Sequence, residues 1–302
     1  MDSVVNSNMR NHNMEINTFR EYINFEYDGR LNDSASAATV AIIIYNSGEA
    51  VFDLIESLSY QTLNNFDIVI INNGKIGIKI VEKLKTMPIK YIENSVNSLS
   101  LGRNIAAAFA KGEILIYLDD DCIAHEQLVE SHLELYTNAK VLGVQGKGLA
   151  YKHPFYCTFQ SHYDLGPIIL PSIYSFEGNI SIRKETLFKV GGFDPQYFGG
   201  EGLKLSYRMS KTYKRNDVIL YNPNAIIYHD FAKGLIDYLE KCYRHVKMRK
   251  RIEKEFPSII SFARSFGPYP KDNISKLTTV EFICSKLIGK LGQLAETFAK
   301  VF

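Results

Sequence analysis

Three consecutive carboxylates, Asp119-Asp120-Asp121, follow the apolar run Ile114-Leu115-Ile116-Tyr117-Leu118. The run reads as a buried strand of a parallel sheet, which sets the carboxylates at its carboxyl end, where open α/β sheets bind ligands. Adjacent like charges repel, and burying them is costly without a cation. Oxygen ligands favour magnesium, manganese or calcium over zinc. An Asp-x-Asp pair on a strand tip therefore suits a nucleoside diphosphate, whose phosphates a divalent metal neutralises. The plainer alternative is a solvated acidic turn capping a helix over residues 122–128.

Other candidates are scattered. Glu201 closes a Gly199-Gly200-Glu201 turn, His229 ends the short strand Ile226-Ile227-Tyr228, and Arg103 lies in Gly102-Arg103-Asn104. Tyr45-Asn46 and Asn72-Asn73-Gly74 each follow an apolar run. A lone strand-end His or helix Arg is commonly structural, and an Asn-Asn-Gly sequence can simply make a turn.

The elements that must position these groups alternate. Residues 39–44 and 66–71 read as buried strands, 50–63 as a crossover helix, and 78–85 as a short helix before a strand at 89–92. Residues 100–111 form a helix whose small residues, Ala106-Ala107-Ala108, allow close packing on the sheet. Strand–helix alternation predicts a doubly wound nucleotide-binding half. Neither Gly-x-Gly-x-x-Gly nor Gly-x-x-x-x-Gly-Lys-Ser/Thr occurs, which disfavours NAD enzymes and P-loop ATPases. Residues 141–149 read as a strand, 151–174 as an aromatic, loop-like stretch, 203–209 as a helix and 238–256 as a helix with a strongly basic face. Residues 279–302 carry an amphipathic helical pattern.

The 302-residue chain has a formal net charge of +2, which gives no global reason to expect nucleic acid. Its four cysteines lie far apart without a Cys-x-x-Cys pair, which disfavours a zinc knuckle or disulfide scaffold and fits a reducing compartment. No secretion signal and no apolar run near the roughly 20 residues of a membrane span is present. The expectation is a cytoplasmic protein, free or peripheral on the inner face of a membrane.

Taken in order, these features resemble the inverting nucleotide-sugar transferases of glycosyltransferase family 2. The resemblance covers about residues 40–243: Ile-Ile-Tyr-Asn, Asn-Asn-Gly, Gly-Arg-Asn, Leu-Asp-Asp-Asp, Gly-Asn-x-x-x-Arg, Gly-Gly-Phe-Asp, Gly-Gly-Glu and a late Tyr-His. Each motif is weak alone; the ordered set is specific. It implies a GT-A fold: α/β, Rossmann-like, with a mostly parallel central sheet flanked by helices and a C-terminal helical extension. The implied organisation is a flexible lead-in over residues 1–38, onto which Phe19, Tyr22, Ile23, Phe25 and Tyr27 could dock a short segment. A catalytic domain follows over 39–232, with a nucleotide-binding half at 39–150 and an acceptor half at 151–232. A basic and amphipathic region occupies 233–302.

The resemblance also implies residue roles. Tyr45, Asn46, Asn72, Arg103, Asp119 and Asp120 would bind the donor, with Asp120 between the two metal-facing carboxylates. Asp119, Asp121 and His229 would hold Mn2+ or Mg2+. Asn72 stands where Asp is usual, and its amide can accept from uracil N3–H and donate to O4, which is compatible with UDP. Glu201 is the candidate base for the acceptor hydroxyl. Here the chain departs from the family, which usually has Glu-Asp where this sequence has Glu201-Gly202. Either Glu201 serves as base, or Asp194 or Asp164 does, or activity is weak or lost. A second departure, Ile43-Ile44 in place of Pro-Thr before Tyr45, carries little weight.

The function implied is metal-dependent inverting transfer from a nucleotide sugar, most naturally a UDP-sugar, to a hydroxyl of a glycan, lipid-linked or protein acceptor in cell-surface polysaccharide or glycoconjugate synthesis. The alternative is a catalytically weak sugar-nucleotide-binding or scaffolding subunit. The basic helix and amphipathic tail, residues 241–302, suit an anionic membrane surface, packing on the domain, or self-association into a homo-oligomer; a plain solvated face is the simpler reading.

Overall fold

The computed structural model describes residues 15–30, 36–46, 48–74 and 76–267, together with helical residues 287, 290, 291, 293, 294 and 297. The first described segment corrects the expectation of a flexible lead-in over its length. A helical turn, α1 (Ile16–Phe19), and a 3-10 turn (Arg20–Tyr22) lead into β1 (Ile23–Asp28), which pairs antiparallel with the strand Lys90–Asn94. Two anchors explain this docking. Phe19 is wholly buried, worth about 2 kcal/mol of apolar burial. Arg30 donates from Nη1 to Asp67 Oδ2 at 2.7 Å and to the Phe109 carbonyl at 3.0 Å.

The first half of the sheet follows the expected alternation: β2 (Ala38–Ile44), α2 (Ala50–Ser59), β3 (Phe66–Asn72), α3 (Ile78–Leu84), β4 (Lys90–Asn94), α4 (Leu99–Phe109) and β5 (Ile114–Asp119). β2 pairs parallel with β3 and β5, and β3 with β4. Period-two alternation sends Val40, Ile42 and Ile44 to one face, with Leu54 and Leu58 of α2. Ala41 and Ile43 go to the other, with Ile105 and Ala106 of α4. Both faces are covered, which is why β2 reads as an unbroken apolar run.

The second half is mixed: β6 (Ile123–Ala124), α5 (Leu128–Leu133), β7 (Val141–Leu149), α6 (Pro154–Cys157), β8 (Leu170–Ser172), β9 (Asn179–Arg183), α7 (Lys184–Lys189), α8 (Glu201–Thr212), β10 (Val218–Tyr228), α9 (Leu235–Glu255) and α10 (Ile259–Arg264). Among the described residues one sheet runs β1-β4-β3-β2-β5-β9-β7-β10-β6, with β8 beside β10. The parallel block is thus β4-β3-β2-β5, and β9 enters antiparallel between β5 and β7. Residues 151–174, read as loop, contain α6 and β8. The strand ending before His229 is longer than expected because it pairs along β7.

β9 is wired in place by polar groups. Asn179 Nδ2 donates to the carbonyls of Lys147 at 3.1 Å and Ala225 at 2.9 Å, and its Oδ1 meets His132 Nε2 at 2.8 Å. Burial pushes the His132 imidazole down to about 4, so it is neutral and fixed by the hydrogen bond. The predicted amphipathic helix at 279–302 lies largely outside the described residues. Among the described residues no helix is long and apolar enough to cross a membrane.

Candidate active site

Three strand ends meet at one point. β5 delivers Asp119, followed by Asp120 and Asp121. The register Leu118↔Asn179 brings Glu177-Gly178 back beside that end. The Asp119 N–H donates to the Gly178 carbonyl at 3.1 Å, and a Cβ on Gly178 would lie 2.0 Å from Asp119 Oδ2. Only glycine permits this approach. β6 pairs with β10 through Ile123↔Tyr228, which sets His229 against the carboxylates.

His229 Nε2 lies 3.1 Å from Asp121 Oδ1 and 3.6 Å from Asp119 Oδ2. Its Nδ1 is 3.1 Å from the Tyr163 hydroxyl, and the Tyr163 ring stacks on Phe176 at 4.0 Å. Burial opposes protonation of the imidazole, but the hydrogen bond to Asp121 and the charge of Asp119 outweigh it and raise the pKa. Asp121 is half-buried, and although desolvation pushes its carboxyl up, His229 and Lys233, 3.4 Å away, hold it low. Desolvation pushes Asp119 up, with the negative charge of Asp121 adding to it. Two carboxylates and an imidazole thus converge where a cation would relieve the burial of like charge. In the arrangement seen, a His–Asp hydrogen bond draws them together, and no ready cage of three ligands exists among the described residues.

A cavity of about 510 Å³ opens over these groups. Arg103, the three aspartates, Glu177, Glu201 and His229 line it. Arg103 rises from α4, its guanidinium 5.2 Å from the centre of the Phe193 ring, and donates from Nη2 to the Glu177 carbonyl at 3.5 Å. Glu201 opens α8 after Gly200, whose φ of 79° makes the sharp entry. Glu201 is only 4% exposed. Among the described residues neither Glu201 Oε1 nor Arg103 Nη1 has a hydrogen-bond partner, so two buried charged groups face the cavity incompletely satisfied. Desolvation, reinforced by the charge of Glu177, pushes the Glu201 carboxyl up to about 7.

The sequence candidates divide accordingly. Arg103, Asp119, Asp120, Asp121, Glu201 and His229 share the cavity. Tyr45, 55% exposed just after β2, is not among the lining residues and reaches them through its N–H, which donates to Asp120 Oδ2 at 3.4 Å. Asn46 is exposed with a φ of 52°, and the Asn72–Gly74 turn lies against it. Asn72 is buried, its Nδ2 donating to the Tyr91 hydroxyl and its Oδ1 accepting from Gly74 N–H, each at 3.0 Å. The two alternative bases are engaged elsewhere. Asp194 pairs with Lys204 at 2.8 Å and Asp164 with Lys147 at 2.9 Å, and neither lines the cavity.

Two features escaped the sequence reading. Glu177 is one; a carboxylate just ahead of a strand that returns beside the Asp-rich one is the signal available in the sequence. The basic helix is also more than a solvated face. Lys241, Arg244 and Arg249 of α9 line the cavity, with Lys241 donating to the Phe231 carbonyl at 2.6 Å.

Comparisons with known proteins agree with this geometry. The fold is that of the GT-A glycosyltransferases. It resembles a mannosyltransferase from Pyrobaculum calidifontis solved with GDP-Man and Mn2+ (TM-score 0.57, 13% identity, 99% of this chain and 83% of that one). It also resembles GalNAc-T7 solved with UDP, GalNAc and Mn2+ (TM-score 0.55, 16% identity, 79% of this chain and 59% of that one). Residues 39–196 match glycosyl transferase family 2, more than half of the chain, and the chain belongs to that family. An uncharacterised glycosyltransferase of Haemophilus influenzae is 25% identical over 83% of this chain and 94% of its own length. A poly(ribitol-phosphate) beta-glucosyltransferase of Bacillus spizizenii is 31% identical over 37% of this chain and 20% of its own length. The protein is a glycosyltransferase.

Proposed function

We propose that the chain transfers a sugar from a nucleotide-sugar donor to an acceptor hydroxyl by a single, inverting displacement, with Glu201 as base. The observation that carries this reading is the shared cavity: an Asp-x-Asp strand tip, an imidazole, a guanidinium and the buried Glu201 carboxyl line one space. Asp119, Asp121 and His229 would hold Mn2+ or Mg2+, which supplies charge neutralisation for the donor diphosphate. The two solved neighbours are complexes with UDP, GalNAc and Mn2+ and with GDP-Man and Mn2+, which supports that requirement.

The residues of the chain then divide the work. Tyr45 offers an exposed ring to base or ribose, with Asn46 beside it and Asp120 linked to its N–H. Tyr91 and Gly74 use one donor and one acceptor site of the Asn72 amide, and the remaining pair matches uracil N3–H and O4. UDP is therefore the favoured nucleotide. Arg103 lines the cavity and its buried Nη1 has no hydrogen-bond partner among the described residues; a planar guanidinium there suits phosphate. Glu201 takes the acceptor proton as its oxygen bonds to the anomeric carbon and the bond to the diphosphate breaks. A base titrating near neutrality matches that task. The acceptor is a glycan, lipid-linked or protein hydroxyl in surface-polysaccharide or glycoconjugate synthesis, approached from a cytoplasmic position with peripheral membrane contact through residues 241–302.

Turnover of a panel of nucleotide sugars with Mn2+ tests the proposal on wild type and Glu201→Gln. One donor turned over by wild type, with a loss of about 10²- to 10⁴-fold in the variant, is expected. Equal turnover by the variant would remove Glu201 as base. Nucleotide binding without turnover by wild type would favour the binding-subunit alternative that Gly202 raises.

A further inference from the structure

Glu177 sits in an unusual relation to helix α8. Its Oε1 accepts the Gly202 N–H at 2.7 Å, in the first turn of the helix that Glu201 opens. A Cβ built on Gly202 would lie 2.7 Å from that same oxygen and 2.8 Å from Glu177 Cγ. The carboxylate arriving from the loop before β9 thus occupies the place where a side chain at 202 would begin, and position 202 has room for no side chain while Glu177 is there. The interaction suits a helix N-terminus, whose unpaired N–H groups favour a negative partner. The loop that carries Glu177 is itself held. Gln145, fully buried in β7, accepts from Ser175 N–H at 2.7 Å and Phe176 N–H at 3.2 Å.

We propose that Glu177 is the positioning residue of the candidate base: it fixes the first turn of α8 and sets a second carboxylate against Glu201, so that the two act as one pair facing the cavity. The inference deepens the proposed function and rests on Glu201 being the base. Glu177 heads the charges acting on Glu201 and makes its carboxyl more basic, while Arg103 opposes it from α4. Asp119 at the end of β5, Tyr163, and His245 of α9 also face the Glu177 charge. A buried carboxylate beside a like charge gains basicity without losing its aim, which is what proton abstraction near neutral pH requires.

The test follows the Glu201 carboxyl by carbon NMR through a pH titration of the full chain, alongside turnover. Glu177→Gln keeps an oxygen for the Gly202 N–H and removes the charge. The Glu201 midpoint should fall by about one pH unit or more, and the acid limb of the turnover profile should move down with it. A Cβ at 202 would also lie 2.8 Å from Tyr174 Cβ, so the charge is varied at 177 itself: Glu177→Asp keeps it and should hold the Glu201 midpoint above that of Glu177→Gln. A Glu201 midpoint unmoved by Glu177→Gln, or no higher in Glu177→Asp than in Glu177→Gln, overturns the pairing. Because the titration needs no substrate, a wild type that turns over no donor would count against the proposed function while the carboxyl midpoints still decide the pair.

Discussion

The two halves of the sheet are stabilised by different means. In the block β4-β3-β2-β5 the interior is mainly apolar on both faces, aliphatic side chains packing with Tyr91, Tyr117 and neighbouring phenylalanines. Beyond β5 the interior is threaded by side-chain hydrogen bonds: His132 to Asn179 and Ser181, Asn179 to two neighbouring strands, Gln145 to the loop at 175–176. Apolar packing is tolerant of small shifts, whereas a hydrogen-bond network fixes atoms to a few tenths of an ångström. The cavity-lining carboxylates outside the Asp cluster, Glu177 and Glu201, hang from the second kind of structure. The first half supplies a platform and the second supplies aim.

Single substitutions can break that contrast. Leu54→Ala in α2 removes a fully buried side chain and should cost about 2–5 kcal/mol in chemical denaturation, with turnover per folded molecule little changed. Gln145→Leu strands the N–H groups of residues 175 and 176 and should cost about 2–4 kcal/mol while also lowering turnover, because Glu177 follows directly. Equal effects of the two on turnover would erase the distinction.

A smaller effect sharpens it. The folded-state carboxyl of Glu201 stands above its ordinary value, so its contribution to stability is complete below about pH 4 and is lost as pH rises through about 7. Glu201→Gln removes that dependence. The variant should gain stability relative to wild type between pH 5 and pH 8, by at most roughly 3 kcal/mol, measured by denaturant midpoints at both pH values. A constant difference across that range would show that Glu201 ionises freely in the fold.

The same contrast explains what could be read from sequence. Apolar runs and helical spacing give β2, β3, β5 and α4 nearly to the residue, because packing alone shapes that half. Asp119, Asp121, Glu201 and His229 stood out by type and by order of motifs, and the fold brings them together. Glu177 did not, because its role depends on an antiparallel strand returning beside β5 and on the missing side chain at 202. The docking of β1 was only hinted at by spaced aromatics; the Arg30–Asp67 pair that anchors it joins residues far apart in the chain. Gln145 carries no local signal at all, since a buried amide and a surface amide look alike in sequence, and Asn179 shows only as part of the Gly-Asn-x-x-x-Arg motif, which does not reveal its partners.

The central claim is that the Asp119–Asp121 strand tip binds a nucleotide with a divalent cation. Calorimetric titration of UDP, with and without Mn2+, on wild type and Asp121→Ala tests it most directly. The account predicts Mn2+-dependent binding to wild type that is lost in Asp121→Ala, with both proteins folded. UDP affinity in Mn2+ that is the same for the two proteins would contradict it.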